Sequence, residues 1–103
     1  MPSIADLERL LATDPKDAFV LYGLGQEHAR LGRHAQAIQF FDRCLESDPA
    51  CFYAFYFKAK SLHALGRVEE ALAVANVGQK SARSAGDLKA SSELQALIDE
   101  IEP

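Results

Sequence analysis

From Ala18 to Leu31 the chain sets Leu21, Leu24, His28 and Leu31 at three- and four-residue steps. That spacing marks one helical face with a single polar exception. Gly32 ends the run, because glycine takes the positive φ of a helix C-terminus cheaply. A second run from about His34 to Ser47 puts Ala37, Ile38, Phe41, Cys44 and Leu45 on an inner stripe. Asp48-Pro49 stops it, since the residue before proline is pushed out of the helical region. The order then recurs, with helices expected at about Cys51–Leu65 and Val68–Ala85 and Gly66 between them. Two flanks complete the pattern. Residues 3–13 offer Ser3 as N-cap and a stripe of Ile4, Leu7, Leu10 and Leu11; residues 87–101 offer Asp87 as N-cap and Leu88, Leu94, Leu97, Ile98 and Ile101. No segment alternates with period two, so an all-α chain of about six helices is expected.

The recurrence has a fixed interval. Asp14-Pro15 returns as Asp48-Pro49, Gly32-Arg33 as Gly66-Arg67, and Ala37-Ile38 as Ala71-Leu72, all at the same separation. Three anchors in one register mean a duplicated helical hairpin. The first unit reads Leu21-x2-Leu24-Gly25-x2-His28, then Ala37-x3-Phe41, then Pro49. At these residues the chain resembles the tetratricopeptide repeat family, whose pattern is W-x2-L-G-x2-Y, A-x3-F and P over about 34 residues. The separation of the three anchors equals that period. Leu21 stands for the Trp and His28 for the Tyr. The second unit is more degenerate: it has Phe55, Lys58, Ala59 and Leu62, then Ala71, with Ala75 for the aromatic and Arg83 for the proline.

The resemblance implies antiparallel hairpins in a right-handed superhelical stack. It divides one domain over 1–103 into an N-terminal cap helix at 3–13, repeats at 18–51 and 52–85, and a C-terminal cap helix at 87–101. The helix at 3–13 takes the phase of the second helix of a hairpin. The flanks matter because one hairpin cannot bury its apolar face alone, and about three units make a continuous core.

Composition narrows the function classes. Half the 103 residues are hydrophobic and the net charge is −4, with a pI near 5.3. A disordered chain is excluded, and a nucleic-acid binder would carry a basic surface. The start lacks a secretory signal, and no window approaches the roughly 18 apolar residues of a membrane span, so a cytoplasmic setting is expected. Cys44 and Cys51 lack metal or redox spacing; buried or half-buried free thiols are expected in preference to a strained local bridge.

Catalytic sets are missing from the pattern. His28, His34 and His63 share no metal-ligand spacing, and Gly23-Leu24-Gly25 lies mid-helix with no preceding strand. His28 reads as a packed structural residue, His34 as an exposed turn residue, and Gly25 as a point of close helix contact. No enzyme activity, cofactor or metal is expected.

The aromatic run Phe52-Tyr53-Ala54-Phe55-Tyr56-Phe57 carries more rings than one buried face needs. Family register places the second, fifth, ninth and twelfth residues of each unit on a concave groove. These are Phe19, Tyr22, Gln26 and Ala29 in the first unit, and Tyr53, Tyr56, Lys60 and His63 in the second. Phe55 and Phe57 then point into the stack and Phe52 toward the hairpin junction. Aromatic rings anchor binding hot spots, and Lys60, with Arg30 nearby, suits an acidic group on a partner. The competing reading has the C-terminal helix folding over these rings.

Some family members clamp acidic chaperone tails with a Lys and two Asn. The matching positions hold Tyr22, Gln26 and Phe57, so that clamp is not expected. Residues 52–85 carry a charge of +3 and residues 86–103 a charge of −4, which makes the second repeat a locally basic neighbour of an acidic tail. The expected function is a non-catalytic adaptor for a protein or peptide segment. The alternatives are a self-associating module, dimerising through residues 94–101 or a stack end, and an accessory subunit of an enzyme.

Overall fold

A computed structural model of the chain describes residues 2–102. Six α-helices follow one another: α1 (Ile4–Thr13), α2 (Ala18–Arg30), α3 (His34–Ser47), α4 (Phe52–Ala64), α5 (Val68–Ser84) and α6 (Leu88–Ile101). There is no strand among the described residues.

Local chemistry explains the boundaries. Ser3 caps α1 in a reciprocal box: its hydroxyl accepts from the Asp6 amide at 3.1 Å while Asp6 accepts from the Ser3 amide at 3.2 Å. Those bonds from Ser3 hold the Asp6 carboxyl below its usual range. Asp17 and Asp87 cap α2 and α6 through the amides of Val20 and Ala90. Gly32, Gly66 and Gly86 sit at φ near +80° and close three turns of one design. In each, the residue after the glycine bonds back to a carbonyl five positions earlier: Arg33 to His28, Arg67 to Leu62, and Asp87 to Ala82. Arg83, in the place of the family proline, lets α5 run to Ser84, three residues longer than α3.

Each helix packs on its successor, and the first helices of hairpins also touch: α4 meets α2, and α6 meets α4. The core falls into three clusters along the stack: Leu7, Val20 and Leu24; then Leu21, Phe41 and Ala54, joined to the first through Leu11 and Phe40; then Leu62, Leu94 and Leu97. Gly25 gives the close approach the sequence predicts. A Cβ there would lie 2.5 Å from the Phe41 ring. Gly78 does the same for Phe55.

Several expectations need correction. Leu10 is exposed because the buried stripe of α1 is narrower, centred on Ile4, Leu7 and Leu11. Leu31 is exposed as the residue half out of α2 at its C-cap, and Leu88 because the buried stripe of α6 starts at Ala90. Leu94, Leu97, Ile98 and Ile101 are buried in the chain's own core, so they offer no surface for the dimer route through residues 94–101. His34 is half-buried, and its Nδ1 lies 3.0 Å from the Ser61 hydroxyl across the hairpin boundary. His28 is packed as expected, stacked on Phe40 with centroids 5.3 Å apart.

Candidate functional site

Because α2 and α4 are both first helices, their fifth and sixth positions face each other across a shallow trough. Five rings form an unbroken chain through it: Tyr53 to Tyr56 at 6.4 Å, Tyr56 to Phe57 at 5.1 Å, Phe57 to Tyr22 at 6.1 Å, and Tyr22 to Phe41 at 6.1 Å. All are tilted or edge-on, the favourable arrangement for aromatic pairs. The chain begins half-exposed at Tyr53 and ends fully buried at Phe41, so the trough is anchored in the core.

Beside the rings lies an open cleft of about 460 Å³, lined from α2 and α3 by Gln26, Glu27, Ala29, Arg30 and His34 and from α4 by Phe57, Lys60, Ser61 and Ala64. Gln26 Nε2 donates to the Tyr22 hydroxyl at 2.9 Å, which fixes both side chains along α2. Burial, followed by the neighbouring Cys51 and Cys44 thiols, pushes the Tyr22 hydroxyl up to about 12. Tyr22 therefore stays a neutral phenol at physiological pH. The Tyr53 hydroxyl is also raised, by desolvation and then by Glu93 on α6.

The basic groups divide into paired and unpaired. Lys58 donates to Asp42 at 2.6 Å, and Arg30 Nε donates to the buried Glu27 carboxylate at 2.7 Å. Lys60 makes no ion pair among the described residues; its ammonium lies 5.6 Å over the Tyr56 ring. The cation the trough presents to solvent is therefore Lys60. A hollow of about 550 Å³ between Lys16 and Arg43 is less suited to a ligand. Arg43 there already bonds the Pro15 carbonyl and covers Phe40.

Of the seven residues predicted for the groove, Tyr22, Gln26, Tyr56 and Lys60 gather at the trough, with Tyr53 at its end. Phe19, 83% exposed, borders a smaller hollow of about 190 Å³ together with Tyr22 and Gln26, beside Leu7 and Gly23. His63 is exposed and does not line the cleft. Phe57, expected in the stack, is half-buried and forms part of the cleft wall. The contribution of His34 and Ser61 was missed, and only their pairing across 27 residues reveals it. The C-terminal helix covers the rings only in part: α6 packs on α5 and α4, where Tyr53 and Tyr56 lie against the cluster of Leu94, Leu97 and Ile98, and it makes no contact with α2. Among the described residues no three His, Cys, Asp or Glu side chains gather where a metal ion fits, and no helix is long and apolar enough to cross a membrane.

This stack of hairpins has relatives. The family model described as anaphase-promoting complex, cyclosome, subunit 3 matches residues 4–77. The chain belongs to this tetratricopeptide repeat family. It is similar to a tetratricopeptide repeat-containing protein of Pseudomonas aeruginosa, with 26% identity over 99 residues, 96% of this chain and 94% of that protein. It is also similar to superkiller protein 3 of Saccharomyces cerevisiae, with 37% identity over 70 residues. That match takes in 68% of this chain, which spans only 5% of the length of that relative.

Among solved structures, a tetratricopeptide repeat domain protein from Salinibacter ruber superposes with a TM-score of 0.78 at 32% identity, covering 86% of this chain and 90% of that one. The TPR2B domain of yeast Sti1, solved as a complex with pHsp70, gives 0.89 at 18% identity, covering 95% and 78%. At that identity the second likeness concerns the tetratricopeptide fold alone.

Proposed function

We propose that this tetratricopeptide repeat chain is a non-catalytic adaptor that holds a segment of another protein in the trough between α2 and α4. Tyr22, Tyr53 and Tyr56 act as apolar anchors, Phe57 is the wall, and Gln26 and Lys60 select polar groups on the ligand. The observation that carries the reading is the unpaired Lys60 ammonium, held over Tyr56 at the rim of an open, ring-lined cleft. Rings of this kind give large contact area at low entropic cost, and an unpaired cation beside them favours an acidic group on the ligand. The Sti1 domain, of the same fold, is itself a protein complex. Both cysteines carry free thiols, which supports a reducing, cytoplasmic setting.

The test is a fluorescence titration of the chain with labelled peptides that alternate Leu with Asp, Asn or Lys. The Asp series is expected to bind best. Lys60→Glu should then weaken it by about tenfold or more, with no change in thermal midpoint because the side chain is exposed. Equal binding of all three series, or of the Lys60→Glu variant, overturns the reading.

A further inference from the structure

The trough continues past the cleft along the concave stripe of α2. Phe19, Tyr22, Gln26 and Ala29 follow one another there at three- and four-residue steps, so they share one face of the helix. At one end Phe19 and Tyr22 border the hollow of about 190 Å³, with Pro2, Leu7 and Gly23. At the other end is the cleft of about 460 Å³, with Ala29, Phe57 and Lys60 in its lining. Gln26 and Glu27 line both, which makes one groove of two chambers. Gly23 keeps the first chamber open, since a Cβ there would already touch Leu7 at 3.4 Å. Glu27 holds the Arg30 guanidinium at 2.7 Å, so the cation left for a ligand is Lys60, in the second chamber.

The dimensions select a ligand conformation. Gly23 and Ala29, one in the lining of each chamber, are six residues apart, about 9 Å along α2. A polyproline II helix has three residues per turn and rises about 3.1 Å per residue, so residues i and i+3 point the same way about 9 Å apart. In a strand, residues i and i+3 point to opposite faces. The supply of hydrogen bonds favours the same conformation. No strand exists among the described residues, so an extended segment finds no ladder to join. The Tyr22 hydroxyl and the Gln26 amide already bond each other at 2.9 Å. A polyproline II segment makes no internal hydrogen bonds and keeps its backbone in water, so it loses least in such a groove. Its walls are the exposed ring of Phe19 and the half-buried rings of Tyr22, Tyr56 and Phe57, and aromatic-lined grooves suit proline-rich segments.

We infer that the trough takes its partner segment as a polyproline II helix laid along α2, with a proline in the chamber at Phe19 and an Asp or Glu three positions away, in either direction, at Lys60. This rests on the reading of the trough as a ligand site and adds the conformation, the spacing and a role for Phe19. A preformed helix of this kind has little freedom to lose on binding. A second copy of the chain does not supply the segment. Pro2 and Pro15 have no acidic residue three positions away, and Glu46 and Glu100, three before Pro49 and Pro103, lie inside α3 and α6.

Isotope-labelled full chain, titrated with a proline peptide of about nine residues carrying one central Asp, provides the test. Saturable shifts at the amides of Phe19, Tyr22 and Lys60 are expected. Replacing both prolines three positions from the Asp by Asn should weaken binding about tenfold, and replacing the two prolines two positions away should leave it within about twofold. A helical peptide with Leu and Asp at i and i+7, and one that alternates Leu with Asp, should each bind about tenfold more weakly than the proline peptide. Phe19→Ser, at an exposed position, should weaken the proline peptide about tenfold with no change in thermal midpoint. Equal effects of the two proline replacements, or undiminished binding by Phe19→Ser, overturn the inference. A helical or alternating peptide that binds as tightly, with shifts at the same amides, overturns it while leaving the trough as the ligand site. No saturable shift with any peptide up to ~1 mM overturns both.

Discussion

The two hairpins fill the same space in opposite ways. In the first, the large ring is on the second helix: Phe41 of α3 lies over Gly25 of α2. The equivalent pair one repeat on is Ala75 with Ala59, both buried and both small. There the large ring moves to the first helix, where Phe55 takes the place of Leu21 and lies against Gly78 in the place of Cys44. Each hairpin thus has one ring–glycine contact, and the contact changes helix and level. What stays constant is the filled volume between two helices at native density, and either helix can supply it. Moving the ring to α4 also explains the trough: with Phe55 inward, the neighbouring Tyr56 and Phe57 must face the cleft or its wall.

Removing the rings tests that equivalence with the largest expected effect. Phe41 is fully buried, so Phe41→Ala should cost about 3–5 kcal/mol, close to the whole stability of a small domain. Phe55 is half-buried, so Phe55→Ala should cost less, about 2 kcal/mol. Urea midpoints at constant slope measure both. Equal losses would mean that the two layers carry the same load, contrary to their different burial.

The glycines give a smaller and sharper contrast. A Cβ at Gly78 would lie 2.5 Å from the Phe55 Cβ, an atom fixed one bond from the backbone. A Cβ at Gly25 would instead meet the edge of the Phe41 ring, which can turn away. Overpacking of this kind costs about 1–3 kcal/mol, offset by nearly 1 kcal/mol of helix propensity gained from glycine to alanine. Gly78→Ala should therefore destabilise more than Gly25→Ala. Gly25→Ala combined with Phe41→Ala recreates the Ala59 and Ala75 layer of the second hairpin. That pair should cost less than the sum of its parts, as residues in contact do. Strict additivity in the denaturation data would show that the two layers are not interchangeable.

The sequence made the fold legible because its signals are local. Ser3, Asp17 and Asp87 cap through their own next turn, and glycine after Leu31, Leu65 and Ala85 closes each helix within five residues. The candidate site was half legible. Family register located Tyr22, Gln26, Tyr56 and Lys60, which depend only on position along a helix. It set His63 beside Lys60 in the groove, where that residue does not line the cleft, and it missed His34 with Ser61. Those depend on how far one helix overlaps the next, which is set by packing between hairpins and not by spacing within one. The exchange of Cys44 for Gly78 was visible as residues, but its meaning needed the Phe55 contact.

That same position yields the prediction with the least effect on the fold. Cys44 and Cys51 meet at the junction of α3 and α4, whereas the second hairpin has Gly78 and Ala85 there, so only one junction carries thiols. Cys44 is fully buried, and its pKa is raised by its bond to Cys51 and by burial, so it remains a protonated donor. Its sulfur–hydrogen group stabilises the Cys51 thiolate, which lowers Cys51 from the ordinary 9.0 to about 7. The thiolate is the nucleophile, so reactivity rises with pH through that value. Iodoacetamide labelling followed by mass spectrometry should find Cys51 modified first, with a rate midpoint near pH 7. Cys44→Ala removes the donor and should move that midpoint up toward 9.0. An unmoved midpoint would show that the Ala54 amide, not Cys44, holds the charge, and the thiol pair would cease to distinguish the two junctions.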